Sequence, residues 1–189
     1  MSAFVVTLLG AESTGKTTLA RELGTALAAR AVRVAVVDEA LRDFCAIAGR
    51  TPRADEQAAI AALQSERIDA AAASAEVVVA DTSALMIAVY SQLVFGDTSL
   101  YAEALAHQRR YDLTLVTALD LPWQPDGLQR DGAHVRAPVD ALLRNALGSS
   151  GIAFTTVAGH GAERPTAALL AIDAALDARA WRASGNAST

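Results

Sequence analysis

The chain has 189 residues, 52% of them hydrophobic, with one cysteine and a formal net charge of −5; this length suits one domain with a real core and is cramped for two. The acidic balance, with a pI of about 5.1, excludes general nucleic-acid affinity, which needs a basic stripe to displace counterions, and the lone Cys45 excludes a disulfide framework. Alanine inflates the mean hydropathy of +0.27, since no apolar run reaches the ~18 residues of a membrane span.

His107, His134 and His160 are too scattered for a zinc site. The N-terminus has an apolar run but no positive residues before it, so it does not read as a signal peptide, and the cytoplasm is the expected compartment. Among 16 Lys plus Arg residues, Lys16 is the only lysine.

In chain order, residues 4–9 (FVVTLL) read as a short buried strand and 16–29 as a helix. Between them GAESTGKT, residues 10–17, matches G-x-x-x-x-G-K-[ST] at every fixed position. Gly10 and Gly15 let the backbone curl so that its N–H groups, with the helix N-terminus, form a nest for a phosphate. Lys16 is a compact cation on a flexible stem that reaches the β- and γ-phosphates, where the planar fork of arginine fits poorly. The Thr17 hydroxyl is a Mg²⁺ ligand. The expected ATP-binding set is Gly10, Glu12, Ser13, Thr14, Gly15, Lys16, Thr17 and Thr18.

Residues 32–37 read as a second strand ending in Asp38 and Glu39. In an open α/β sheet a carboxylate there faces the ligand crevice, and it can bind a sugar hydroxyl or take its proton; helix capping and solvent exposure are the plain alternatives. Cys45 lies on an apolar helix face as a buried small hydrophobe, and the 50–53 turn reads as a solvated connection. A helix over 53–73 leads to a strand at 77–80 that ends in Asp81. Asp81 either holds Mg²⁺, as the acid of a P-loop site does, or caps the next helix, and both roles can coexist.

Helices are expected over 85–95 and 100–109, a strand over 113–117, a helix over 138–147, a strand over 153–157 and a helix over 165–181. On the first of these, Tyr90 and Phe95 read as core, with ring contact to substrate as the alternative. Residues 122–137 hold Pro122, Pro125, Gly127 and Gly132 among charges that include Asp126, Arg130 and Arg136, and read as a lid whose arginines neutralise phosphoryl charge. Gly159-His160-Gly161 is a turn that either borders a base or only needs positive φ. Residues 183–189 read as a frayed tail. Strand–helix alternation gives a doubly wound P-loop NTPase fold, with about five parallel strands, helices on both faces and a lid, in a single domain over 1–182.

Together GAESTGKTTLARELG, DEALRDF, ADTSALMIAVYSQLVFGD and YDLTLVTALDLPWQPDGLQRDG resemble the nicotinamide riboside kinase module of the NadR family, over about residues 4–170. The resemblance implies ATP- and Mg²⁺-dependent phosphorylation of the 5′-hydroxyl of nicotinamide riboside, giving nicotinamide mononucleotide and ADP. It implies that Glu39 and Arg42 are the acid and arginine of the family's E-x-x-R, with Glu39 ahead of Asp38 as base or ribose ligand. Asp81 falls on its acidic strand end, and Asp120 and Trp123 on its D-x-P-W, with Asp126 following in the substrate-binding set. Trp123 either offers its indole face to the cationic ring or anchors the loop.

The chain departs from that family in three ways. It has no adenylyltransferase or DNA-binding part, so the phosphorylation step is expected to stand alone; Ala40 replaces an aromatic; and Ser83 stands where some members carry Asp. The alternatives are a kinase for another nucleoside or small metabolite, and a regulatory ATP-binding module. A nucleoside is the expected partner, with no nucleic acid and no membrane; the sequence does not give the oligomeric state.

Overall fold

The computed structural model describes residues 2–124 and 133–185. Its centre is a five-stranded parallel sheet in the order β2-β3-β1-β4-β5. The strands are β1 (Phe4–Leu9), β2 (Val34–Val37), β3 (Val77–Asp81), β4 (Leu113–Thr117) and β5 (Thr155–Val157). The helices are α1 (Lys16–Ala29), α2 (Ala40–Ala48), α3 (Gln57–Ala72), α4 (Ala84–Phe95), α5 (Tyr101–Gln108), α6 (Arg136–Ser149) and α7 (Glu163–Gly185).

Central strands buried on both faces need apolar residues at successive positions, and every residue of β1 and β3 is buried. Alternate side chains then serve opposite layers. Phe4, Val6, Leu8, Val79 and Leu115 pack against Leu19, Leu23 and Leu27 of α1 and Ile172 of α7. Leu9 and Val116 face the opposite layer, with α4 and Leu143 of α6, while Val5, Val78 and Ala80 meet Ile68 of α3. This is the doubly wound arrangement expected from the strand–helix alternation. Among the described residues no helix is long and apolar enough to cross a membrane.

The differences from expectation lie at ends and edges. β2 and β5 begin two residues later than their apolar runs, because each is an edge strand that pairs on one side only, β2 from Val34 and β5 from Thr155. α6 and α7 begin two residues before Pro138 and Pro165. The first-turn N–H groups of a helix have no intrahelical acceptor, so proline fits anywhere in that turn.

α2 lies outside the six expected helical stretches, although residues 44–47 read as a helix face. It is nine residues long, ended by Gly49 at φ 67°, and its first N–H, from Ala40, donates to Gln64 Oε1 on α3 at 2.7 Å. A cap supplied by another helix leaves no local signal. α7 runs on through Gly185; the remainder of the expected tail, and Asp126 and Arg130 within the expected lid, lie outside the described residues.

Candidate functional site

The phosphate loop leaves the C-terminal end of β1, between β3 and β4. Gly10 has φ 146° and Gly15 φ 78°, left-handed conformations that glycine adopts without a side-chain penalty. A Cβ at Gly10 would lie 2.1 Å from Thr117 Oγ1, so the position also requires glycine sterically. Ser13 takes φ 54° without being glycine, a strained value that only a fixed surrounding maintains.

That surrounding is visible. Thr14 Oγ1 donates to the Ala11 carbonyl at 2.8 Å and shares a 2.7 Å hydrogen bond with Thr117 Oγ1 at the end of β4. Lys16 Nζ donates to the carbonyls of Gly10 and Ala11, each at 2.8 Å, and so lies across the loop mouth. Gly15 has no side chain to cap α1, so its first-turn amides have no side-chain acceptor there, an arrangement that favours an anion.

The loop forms one end of a cavity of about 950 Å³, within the range of nucleotide and cofactor pockets. Residues 12–18 line it from the loop, Glu39, Leu41, Arg42 and Cys45 from α2 and its approach, Thr51, Pro52, Arg53, Ala54 and Gln57 from the turn before α3, Ile87, Tyr90, Val94 and Phe95 from α4, and Leu121, Pro122 and Gln124 from above. Glu39 and Arg42 thus face the same space as Lys16, and Arg42 Nε donates to Glu39 Oε2 at 3.2 Å. Asp38 is exposed and does not line the cavity.

The turn before α3 is exposed at Thr51 and Arg53, as expected of a solvated connection, and it also forms part of the cavity wall. Both nitrogens at the tip of Arg50 donate to the Glu56 carboxylate at 2.7 Å, and the Arg53 N–H donates to it at 2.7 Å. The Arg50 guanidinium, then the Arg53 amide, hold Glu56 down to about 2. Tyr90 and Phe95 both reach the cavity wall. The thiol of Cys45 is pushed up by burial and then by Glu39, which suits an inert residue.

Asp81 is 1% exposed, in register with Leu8 two residues before the loop. Neither of its carboxylate oxygens has a hydrogen-bond partner among the described residues. A buried carboxylate left so is costly unless a cation meets it. Among the described residues there is no cluster of three His, Cys, Asp or Glu side chains, but Mg²⁺ is ordinarily held by one or two protein ligands plus substrate phosphates and water. Asp81 and the Thr17 hydroxyl fit that donor set. Ser83, not Asp81, caps α4, accepting from the Leu85 N–H at 3.3 Å.

The D-x-P-W segment lies over the phosphate loop, away from the expected acceptor contacts. Trp123 Nε1 donates to Glu12 Oε1 at 2.9 Å, and the Gln124 N–H donates to Ser13 Oγ at 2.8 Å. These are anchoring contacts. Asp120 accepts from the Gly159 N–H at 2.7 Å and pairs with the Arg164 guanidinium. Burial raises the Asp120 carboxyl, but the Gly159 amide and Arg164 outweigh that and hold it below its ordinary value. Neither Asp120 nor Trp123 lines the cavity.

Arg136 opens α6 and is only 9% exposed, with Nε and Nη2 unpartnered among the described residues; it too is absent from the cavity wall. Gly159 and Gly161 have φ 107° and 53°, so that turn does require positive φ. Sequence reasoning passed over Arg164 and Thr117, whose partners are remote in the chain, and Gln57, which is buried on the cavity wall.

A sequence profile described as an AAA domain matches residues 5–164. The chain belongs to this AAA domain family. No curated protein matches it. Among solved structures this AAA domain is similar to NadR protein in complex with NAD and AMP-PNP, at 21% identity and a TM-score of 0.71, covering 90% of this chain and 48% of that one. NadR protein in complex with NR gives 22%, 0.72, 90% and 48%. Thymidylate kinase from Ehrlichia chaffeensis gives 14% and 0.63, covering 93% of this chain and 100% of that one. The AAA domain therefore has a kinase-type P-loop fold, and it spans about half the length of the NadR chains.

Proposed function

We propose that residues 1–182 form an ATP-dependent small-molecule kinase, acting in the cytoplasm, that transfers the γ-phosphoryl of ATP to the 5′-hydroxyl of nicotinamide riboside. The observation that carries the reading is one continuous cavity with Lys16 and the phosphate loop at one end and Glu39, Arg42, Tyr90 and Phe95 at the other. The likeness to NadR protein in complex with NR supports the choice of acceptor.

The loop amides and Lys16 bind the β- and γ-phosphates. Thr17 and Asp81 would hold Mg²⁺, which when bound neutralises phosphate charge. Glu39 accepts a hydrogen bond or the proton from the acceptor hydroxyl, and Arg42 fixes the direction of its carboxylate. Arg130 and Arg136 are the two arginines that could neutralise charge on the transferred phosphoryl, although Arg136 stands outside the cavity wall. With a loose transition state, positioning and electrostatics supply most of the rate.

Two observations favour a second reading, a kinase for a neutral or anionic nucleoside. Asp120, expected in the substrate-binding set, is paired with Arg164, and Arg53 adds a cation to the acceptor wall.

A coupled ADP-release assay across nicotinamide riboside, common nucleosides and water alone tests both. Nicotinamide riboside should raise the rate well above water, and Glu39→Gln should lower kcat about 10²-fold. Turnover with another nucleoside and none with nicotinamide riboside would replace the first reading by the second; slow hydrolysis that only a protein partner accelerates would replace both by a regulatory module.

A further inference from the structure

We propose that Arg164 is a positioning residue for the phosphate loop, aiming the Gly15 amide into the nucleotide site. The inference rests on reading the loop as a nucleotide-phosphate site, not on the identity of the acceptor.

Arg164 stands in the first turn of α7, 150 residues from the loop it touches, and is 5% exposed. Its Nη1 donates to the Thr14 carbonyl at 2.6 Å and its Nε to the Gly159 carbonyl at 3.1 Å. Its Nη2 donates to Asp120 Oδ1, and Asp120 Oδ2 accepts from the Gly159 N–H at 2.7 Å. One guanidinium therefore ties together the phosphate loop, the connection after β4 and the turn between β5 and α7.

The bond to Thr14 has a geometric consequence. In a planar trans peptide the C=O and the following N–H point in opposite directions, and no cis peptide bond occurs among the described residues. With the Thr14 carbonyl drawn to Arg164 behind the loop, the Gly15 N–H is turned the other way, to the cavity side that Gly15 lines. The Cβ position at Gly15 lies 4.0 Å from Arg164 Nη1 and 3.0 Å from Leu121 Cδ1, so this peptide is closely packed.

A buried guanidinium costs heavily unless its donors and charge are met. Here Asp120 meets the charge and two carbonyls take the other donors. The rigid fork of arginine suits three fixed partners better than a lysine ammonium does. The same arrangement explains why Asp120 faces away from the acceptor.

Calorimetric titration with Mg²⁺–AMP-PNP, alongside melting without nucleotide, tests the assignment in Arg164→Gln and Arg164→Lys. Arg164→Gln should weaken AMP-PNP binding at least tenfold and Arg164→Lys by a smaller factor of at least three. The KM for ATP should rise in step, with the KM for nicotinamide riboside unchanged. Should Arg164→Gln fail to fold, Arg164→Lys alone decides. Lower melting temperatures with wild-type AMP-PNP affinity in the folded protein would overturn the assignment and leave Arg164 merely structural. If the wild-type chain binds AMP-PNP yet phosphorylates no acceptor, the kinase reading falls and this assignment stands. If it binds no AMP-PNP, both fall.

Discussion

The two ends of the cavity are held by different kinds of contact. At the phosphate end the loop is fixed from afar: Thr117 on β4 bonds Thr14, Arg164 on α7 bonds the Thr14 carbonyl, and Trp123 bonds Glu12. At the acceptor end, among the described residues, Arg42 bonds Glu39 three residues away and Arg50 bonds Glu56 six residues away, while Gln64 and Arg67 of α3 reach α2 at Ala40 and Asp43, each 24 residues away. A loop clamped by three distant segments has little freedom to change and suits an invariant ligand such as a triphosphate. A wall built from short local pieces can be altered piecewise, and that is how one scaffold accepts different substrates.

The sharpest way to break this comparison is at Lys16. Lys16→Ala removes the cation from the clamped end and should lower kcat/KM about 10³-fold, as loss of a preorganised electrostatic donor does. The melting temperature without nucleotide should change little, because the loop keeps its ties to Thr117 and Arg164. Steady-state kinetics and a thermal melt on the same sample check both halves. A large melting shift would mean that Lys16 holds the loop itself, and that the clamp is weaker than its hydrogen bonds imply.

A smaller effect is expected at Phe95, which lines the acceptor end and is 40% exposed. Phe95→Ala should raise the acceptor KM about fivefold, or ~1 kcal/mol, and leave the ATP KM within error. Equal rises in both would merge the two ends into one site.

The same division governs what could be read from the sequence. The phosphate loop is legible because its chemistry lies in eight consecutive residues after a buried strand. Arg164 and Thr117 were not legible, since their partners are 150 and 103 residues away. At the acceptor end the sequence leaves Tyr90 and Phe95 between core packing and contact with substrate, because α4 is apolar nearly all round and no face marks the cavity side. The 50–53 turn reads as a solvated connection, and Arg53 is exposed; its place on the cavity wall carries no signal in the sequence, since a charged turn looks alike whether or not it also borders a pocket. The D-x-P-W resemblance puts Asp120 in the substrate-binding set and leaves Trp123 either at the acceptor ring or as a loop anchor, and the structure shows the anchor. Which way a loop folds over depends on partners such as Gly159 and Glu12, which the motif does not contain.

The smallest effect expected is in acid, and it isolates the acceptor end. Glu56 is held at about 2 against an ordinary value of 4.5. A carboxyl depressed in the folded state contributes stability that is complete above its unfolded value and is lost as the pH falls toward the folded one. The melting difference between wild type and Glu56→Gln should therefore be constant above about pH 5 and shrink as the pH falls from 4.5 toward 2. Asp120 is also depressed, so acid loosens the phosphate end of both proteins alike, and only the difference between them reports on the 50–57 wall. At neutral pH Glu56→Gln should raise the acceptor KM modestly by freeing Arg50 and Arg53, with AMP-PNP affinity unchanged. A loss of AMP-PNP affinity instead would show that the local wall supports the clamped loop, and that the two ends are mechanically one.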